Sequence, residues 1–330
     1  MSAEHGEGLG DLEREILSAL DLKFKPAAPS RRRRRRDADL EVEPEPTPEA
    51  TPASEDAVDD SKPIRVAIVG RPNAGKSTLV NAILGEERMI TGPEPGLTRD
   101  SISSDLQWKG RALKLFDTAG LRRKARITEL AEKLSASDAV RAIRFAEVVV
   151  LLTDSEHPLE QQDLIIANMA LSEGRALVIA INKWDLITEK QKILKDIRET
   201  VAEKLADATG VFVMPVSEMS GRGIDKLMDA ILKSHAIWNR RVPTAALNRW
   251  LQEALSRHAP PASSGRRIRI RFMTQPSTRP PTFVAFCSKP GDLPGSYVRY
   301  LVNSLRETFD MPGTPIRFHL RKNENPYADG

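Results

Sequence analysis

The chain has 330 residues, of which 40% are hydrophobic, and its formal net charge is +4. This length and apolar content suffice for two globular domains joined by linkers. The single cysteine excludes a disulfide within the chain, and no apolar stretch has the length of a membrane span or the pattern of a signal peptide, so we expect a cytoplasmic protein without a membrane partner.

The first 62 residues have little capacity to form a core. Residues 1–22 end in a short amphipathic helical pattern at 13–22. Residues 23–62 contain an unbroken arginine run, Arg31–Arg36, and then a segment, Asp37–Asp60, with ten acids, no bases and four prolines. Such a segment cannot bury enough apolar surface to fold, so we predict a disordered linker. The arginine run would pair with its acidic neighbour or contact RNA non-specifically.

Residues 63–239 alternate strand patterns with helical patterns. The predicted strands are mostly apolar stretches of six residues: Ile64–Val69, Ala112–Asp117, Val148–Thr153, Ala176–Ile181 and Val211–Val216. Alternation of this kind predicts an α/β domain with a mostly parallel sheet and helices on both faces. Ligands of such sheets bind at the carboxyl ends of the strands, which is where the motifs described next are located.

A phosphate-loop motif, G-x-x-x-x-G-K-S, lies between the first strand pattern and a helical pattern. Its residues are Gly70, Arg71, Pro72, Asn73, Ala74, Gly75, Lys76 and Ser77. The glycines allow backbone amides to surround phosphates, Lys76 would bind the β- and γ-phosphates, and Ser77 would bind Mg²⁺. On its own this motif also suits an ATPase or a kinase.

Two further elements favour a nucleotide switch. The second strand pattern ends in a D-x-x-G motif followed by Leu, comprising Asp117, Thr118, Ala119, Gly120 and Leu121. Asp117 would hold Mg²⁺, and Gly120 could donate its amide to the γ-phosphate. Upstream, Thr98 supplies a hydroxyl that would reach Mg²⁺ only when the γ-phosphate is present, which would order its segment in one nucleotide state.

The element after the fourth predicted strand specifies the base. It is an N-K-x-D sequence made of Asn182, Lys183, Trp184 and Asp185. The Asp185 carboxylate can accept hydrogen bonds from N1–H and the exocyclic amine of guanine, a pair that adenine does not offer. Ser217 then stands where GTPases carry Ser-Ala-Lys or Ser-Ala-Leu behind the base, but Glu218 replaces the expected Ala. Together the four motifs predict a GTP- and GDP-binding protein.

The C-terminal region is basic. From residue 236 onward it has 15 Lys and Arg against six Asp and Glu, a local excess of nine. The pattern predicts, in order, helix 244–258, strand 267–274, strand 282–288, helix 295–309 and strand 316–321. Residues 267–272 alternate basic and apolar side chains, which predicts a half-buried strand with a charged outer face. Those arginines would be solvated, contact rRNA or dock on another domain.

These motifs resemble the Der (EngA) family of bacterial ribosome-assembly GTPases, specifically its second GTPase domain and its C-terminal domain. The resemblance covers Pro63 to about Pro326 and includes 95–100, 117–124, 180–186, 279–283 and 313–317 besides the phosphate loop. It implies a small α+β KH-like domain after the GTPase domain. The G-x-x-G loop by which KH domains clamp RNA is missing, because Gly291 and Gly295 have the wrong spacing.

The resemblance also implies an organisation and a function. Family members have two GTPase domains, so residues 1–22, whose opening Ser2–Leu12 resembles Ser217–Leu227, would be the remnant of a first one. We expect a linker at 23–62, a GTPase domain at 63–239, a KH-like domain at 240–326 and a tail at 327–330. The protein would be a monomer in the bacterial cytoplasm and would act with the large ribosomal subunit or rRNA.

Hydrolysis requires that a water attack the γ-phosphate, and Ras-type enzymes orient this water with a Gln where Leu121 stands here. Because leucine cannot form the required hydrogen bond, turnover should be slow unless another group helps. In GTPases of this substituted type, the Asn at position 73 helps to hold K⁺, although it could equally satisfy its own backbone. Two alternatives remain: an RNA-modification or rRNA-chaperone GTPase, and a non-cycling fragment that binds ribosomes or partners.

Overall fold

The apolar run before the phosphate loop forms the first strand, β1 (Ile64–Val69). The structure is a computed structural model, and it describes residues 62–85, 103–117, 139–263 and 266–322. The next strands carry the motifs or lie beside them: β2 (Ser103–Trp108), β3 (Arg111–Asp117), β4 (Val148–Asp154), β5 (Ala176–Asn182) and β6 (Phe212–Pro215). All five predicted strands of this region are present, with ends shifted by one residue or less.

These strands form one sheet in the order β2-β3-β1-β4-β5-β6. Five strands are parallel, and β2 pairs antiparallel with β3 at the edge. The sequence analysis did not predict β2, because its residues mix polar and apolar types without an apolar run. The reversal between β2 and β3 uses Lys109 and Gly110, both with positive φ, which is the backbone of a tight hairpin turn.

Helices cover both faces of this sheet, as predicted. They are α1 (Lys76–Gly85), α2 (139–145 in its described part), α3 (Gln161–Ser172), α4 (Lys190–Lys204) and α5 (Ile224–Trp238). The central strand β4 alternates between two apolar clusters. Val148, Val150 and Leu152 pack with residues of α1 and α5, whereas Val149 and Leu151 pack with residues of α2, α3 and α4. Burial on both faces explains why the strand is uniformly apolar.

The C-terminal region forms a separate three-stranded sheet with helices. Its elements are α6 (Thr244–Arg257), β7 (Ala262–Ser263), β8 (Arg266–Arg267), β9 (Ile270–Thr278), β10 (Pro281–Cys287), α7 (Gly295–Thr308) and β11 (Arg317–Lys322). The strand order is β11-β10-β9, with β10 parallel to β11 and antiparallel to β9. Phe283, Leu247 and Leu301 are fully buried in its core. The α+β expectation for this region is confirmed.

The structure differs from the predicted alternation in β9, because the strand contains a β-bulge. The prediction placed a strand at 267–274 with Ile270 and Phe272 on one buried face. The strand instead begins at Ile270, and the register shifts so that Phe272 pairs with Phe286 while Ile270 pairs with Cys287. Arg271 is the extra residue, and it moves Phe272 to the outer face, where the ring is 38% exposed.

The two sheets are joined by direct contacts. Arg317 of β11 donates its Nη2 to the carbonyl oxygen of Ser172, at the end of α3, at 3.4 Å. Gly313 donates its amide to the carbonyl oxygen of Thr209 at 2.8 Å. The domain boundary near residue 239 stays a prediction. Ile237, two residues before it in α5, already packs in the apolar cluster of the second sheet. In the part of the chain that the structure describes, no helix has the length and apolar character needed to cross a membrane.

Candidate functional site

The phosphate-loop motif connects β1 to the N-terminus of α1. Gly70 has φ 151°, and a Cβ added there would lie 2.2 Å from the carbonyl oxygen of Leu152, so only glycine fits. Lys76 is buried, and its Nζ donates to the carbonyl oxygens of Gly70 at 2.9 Å and Arg71 at 2.7 Å. The lysine therefore closes the loop over the N-terminus of α1, whose partial positive charge favours anions.

Arg71 connects the phosphate loop to the start of α3 by hydrogen bonds and ion pairs. Its Nε donates to Asp163 at 3.2 Å, its Nη2 donates to the carbonyl oxygen of His157 at 2.6 Å, and its Nη1 pairs with Glu160. Asp163 is fully buried and also accepts a hydrogen bond from the Thr153 hydroxyl at 2.9 Å. Burial raises the pKa of Asp163, although the Thr153 hydrogen bond and the Arg71 charge oppose that shift.

The end of β5 is tied to the phosphate loop through Asn182. This side chain is fully buried, and its Nδ2 donates to the carbonyl oxygen of Ala74 at 2.9 Å. Its Oδ1 has no hydrogen-bond partner among the described residues. Two sequence motifs separated by more than 100 residues are thereby held together. The bond supplies one of the partners that a buried amide requires.

Lys183 and Asp154 form an ion pair beside Asn182. Lys183 has the left-handed φ of 55°, and its Nζ lies 2.6 Å from Oδ2 of Asp154 at the end of β4. Its hydrogen bond to Asp154 and the carboxylate charge raise the pKa of Lys183. Burial raises the pKa of Asp154, but the hydrogen bonds from Lys183 and from the Glu156 amide, together with nearby positive charge, leave the pKa below its ordinary value.

Asp185 and Ser217 meet at the same edge of the sheet. The Ser217 hydroxyl donates to Oδ1 of Asp185 at 2.5 Å, and this bond lowers the pKa of Asp185. The amide of Trp184 donates to the carbonyl oxygen of Val216 at 3.0 Å, which aligns the two loops. Asp185 and Ser217 border a cavity of about 410 Å³, whose other walls include Trp184, Lys190, Pro215, Val216, Arg222, Gly223, Asp225 and Lys226.

Glu218, the residue that departs from the expected motif, turns toward the phosphate loop. Its Oε2 accepts a hydrogen bond from Nδ2 of Asn182 at 2.6 Å. A Cβ added to Gly75, whose φ is 90°, would lie 2.1 Å from this oxygen, so glycine is required beside the carboxylate. The sequence identified the unusual residue, whereas its contact with Gly75 is visible only in the fold.

Some of the remaining predicted site residues lie in the part of the chain that the structure describes, and the others do not. Pro72, Asn73 and Ser77 are exposed on or beside the loop, and Asn73 has φ 62°. Asp117 ends β3 opposite Ile68 of β1, but its side chain is outside the description. Thr98, Thr118, Ala119, Gly120 and Leu121 lie outside the described residues, as do the predicted N-terminal remnant and most of the linker.

Sequence reasoning missed three acidic residues that hold the loops. Asp154 could have been suspected because it directly follows an apolar strand at the carboxyl edge. Glu160 and Asp163 form a capping box at the start of α3, a pattern that signals a helix start but gives no indication of Arg71 as a partner.

Comparison with known families agrees with this geometry. Residues 65–183 match a family described as 50S ribosome-binding GTPase, and residues 241–321 match the C-terminal KH-domain-like family of EngA bacterial GTPase enzymes. The chain is 53% identical over 330 residues to GTPase Der of Mesorhizobium japonicum, a match that covers 99% of this chain and 69% of that protein. The chain belongs to the Der family of GTPases.

Other proteins are also similar to the chain. GTPase Der of Brucella melitensis is 52% identical over 344 residues and is covered to the same extents, 99% and 69%. Among solved structures, Aquifex aeolicus Era bound to GDP·AlF4⁻ is 19% identical, with a TM-score of 0.40 over 79% of this chain and 93% of that one. Membership of the Der family makes the chain a P-loop GTPase with a KH-like C-terminal region, and the sequence-based family assignment is confirmed.

Asp163 and Glu160 both pair with Arg71 but differ in burial, which permits a matched test. We expect Asp163→Asn to lower the free energy of unfolding by about 2 kcal/mol or more, because it leaves a mostly buried guanidinium without its buried charge. Glu160→Gln, at a side chain that is 50% exposed, should cost under about 1 kcal/mol. Urea unfolding measures both; equal losses would contradict the importance of the buried pair.

Proposed function

We propose that this Der-family chain binds GTP and GDP along the edge formed by the phosphate loop, the end of β5 and Ser217. The observation that carries the proposal is the 2.9 Å hydrogen bond from Asn182 Nδ2 to the Ala74 carbonyl oxygen, since it brings a base-type motif to a phosphate-type loop. The loop amides and Lys76 would hold the phosphates, and Asp185 would bind the guanine edge.

Mg²⁺ would accompany the nucleotide. Ser77 is an exposed hydroxyl in the first turn of α1, and the backbone of Asp117 ends β3 beside β1. Hydroxyl and carboxylate oxygens are ligands that Mg²⁺ prefers, so this donor set fits the ion. Ser77, Asp117 and, in the triphosphate state, Thr98 would hold it, and the ion would neutralise charge that develops on the phosphates.

For hydrolysis, this chain's residues would position the triphosphate rather than act as a base. Leu121 offers no hydrogen bond to a water, so charge stabilisation must come from fixed donors and ions. We assign a K⁺-holding role to Asn73, whose left-handed backbone presents an exposed amide on the loop. The amide oxygen is a suitable ligand for K⁺ near the β- and γ-phosphates.

The ribosomal role rests on the KH-like region. We propose that the protein acts as a cytoplasmic monomer in assembly of the large ribosomal subunit, with residues 63–239 as the switch and 240–326 as the rRNA-contacting part. Phe272 and Phe286 stack on the outer face of the second sheet with ring centroids 4.4 Å apart, and Arg271 and Arg321 are exposed beside them. Stacked aromatics flanked by arginines suit unpaired bases and phosphates.

The guanine assignment predicts a change of base preference. We expect Asp185→Asn to shift selectivity from GTP toward xanthosine triphosphate, because the amide donor would face the carbonyl group that replaces the exocyclic amine of guanine. Competition binding with both triphosphates measures this. Asp225→Asn, which alters another carboxylate on the wall of the cavity that Asp185 borders, should retain the preference for GTP. Unchanged selectivity in Asp185→Asn would remove that residue from the base site.

The role of Asn73 predicts a cation effect. We expect GTP turnover to be faster in K⁺ than in Na⁺ at equal ionic strength, and Asn73→Ala to abolish the difference. Asn73→Asp keeps a side-chain oxygen and should preserve it, which separates the ligand from the backbone strain that Ala incurs at φ 62°. Equal rates in both salts for the unaltered protein would refute the K⁺ proposal, and no turnover in either salt or with large subunits would favour a non-cycling binding protein.

The rRNA proposal predicts salt-sensitive binding to large ribosomal subunits. The double variant Arg271→Gln, Arg321→Gln should weaken co-sedimentation and reduce the log–log salt slope by about one per lost phosphate contact. The control removes two exposed cations from α4, Lys195→Gln with Arg198→Gln, and should bind normally. Association that is indifferent to salt, or unaffected by the outer-face variant, would favour docking on protein instead.

A further inference from the structure

Glu218 lies against the phosphate loop, which would bind the phosphates of the nucleotide. Its Oε2 lies 2.6 Å from Asn182 Nδ2 and so close to Gly75 that a Cβ there would overlap it, at 2.1 Å. Asn182 is fully buried and directs the same nitrogen at the Ala74 carbonyl oxygen. The carboxylate is therefore held within the site and does not extend from the loop into solvent.

The neighbours of Glu218 leave its charge incompletely balanced. Burial raises its pKa, the hydrogen bond from Asn182 and the charge of Lys183 lower it, and the carboxylates of Asp154 and Asp185 raise it again; the net pKa is above the ordinary value. Lys183 is the nearby cation, but its Nζ is bonded to Asp154 at 2.6 Å. The single positive charge of Lys183 therefore acts on two carboxylates, those of Asp154 and Glu218.

We propose that the Glu218 carboxylate sets the nucleotide affinity of this GTPase, weakening GDP and GTP binding and accelerating GDP release. The inference rests on the nucleotide site proposed above and assigns a regulatory residue within it. Fast release would return the protein to its GTP-ready state without a separate exchange partner.

Two physical effects act in the same direction. First, the carboxylate and the phosphates are both negative, and like charges in a partly desolvated cleft repel more strongly than in water. Second, the amide of Asn182 has two protons, and the contacts to Ala74 and Glu218 engage both. A base acceptor would have to compete with Glu218 for one of them. The small residue expected at this position has neither effect.

Stopped-flow release of a fluorescent GDP from the full chain tests the proposal. Glu218→Gln keeps an oxygen that can accept from Asn182 but removes the charge, whereas Glu218→Ala removes both. We expect Glu218→Gln to slow GDP release about five- to tenfold at neutral pH, with a matching fall in Kd. Glu218→Ala should slow it at least as much. The control, Glu253→Gln on the exposed face of α6, should release GDP as the unaltered protein does.

The pH dependence separates charge from shape. The ratio of the Kd of the unaltered protein to that of Glu218→Gln should fall toward one from about pH 8 to about pH 5, because protonation neutralises Glu218. Using the ratio cancels the titration of the phosphates. Release rates equal to those of the unaltered protein in both variants, or a ratio independent of pH, would overturn the proposal. Absence of guanine-nucleotide binding by every form, including the unaltered protein, would refute the proposed site itself.

Discussion

The buried amide of Asn182 is the contact on which the arrangement of the site depends. Asn182 ends a strand that is buried along its whole length, so its polar side chain cannot turn to solvent and must find partners within the protein. Its side chain donates to Ala74 of one loop and Glu218 of another, while its backbone carbonyl oxygen accepts a hydrogen bond from the amide of Ser155. Three loops that follow different strands are therefore held around one residue, and the orientations of Lys183 and Asp185 follow from it.

Around this centre, most charges are compensated by fixed partners. Arg71 is surrounded by Asp163, Glu160 and a carbonyl oxygen, and Lys183 is paired with Asp154. These contacts anchor the phosphate loop to α3 and the base loop to β4, which preorganises the edge for an anionic ligand. Glu218 differs because its hydrogen-bond partner is a neutral amide. That difference is the basis for the effect on nucleotide affinity proposed for Glu218.

The aromatic side chains of the second sheet lie on both of its faces. Phe283 is fully buried against α6 and α7, whereas Phe272 and Phe286 stack on the opposite face. The extra residue Arg271 places Phe272 on the same face as Phe286, because one inserted residue reverses the side on which the following side chains point. No acidic residue occurs in β9, β10 or β11, so the strands themselves contribute apolar rings and arginines, but no carboxylates, to the outer face. This composition suits a polyanion better than a protein core.

The sequence by itself determined the fold class, the five parallel strands and the order of the motifs, because continuous apolar runs and fixed spacings are local properties of the chain. It also singled out Glu218 as unusual. It did not reveal β2, whose mixed residues lack a period, or the bulge at Arg271, which depends on pairing with β10. Only the tertiary structure joined Arg71 to Asp163 and Glu218 to Gly75. Such contacts link residues more than 90 positions apart, and their geometry follows from how helices and loops pack on the sheet, which no local pattern encodes.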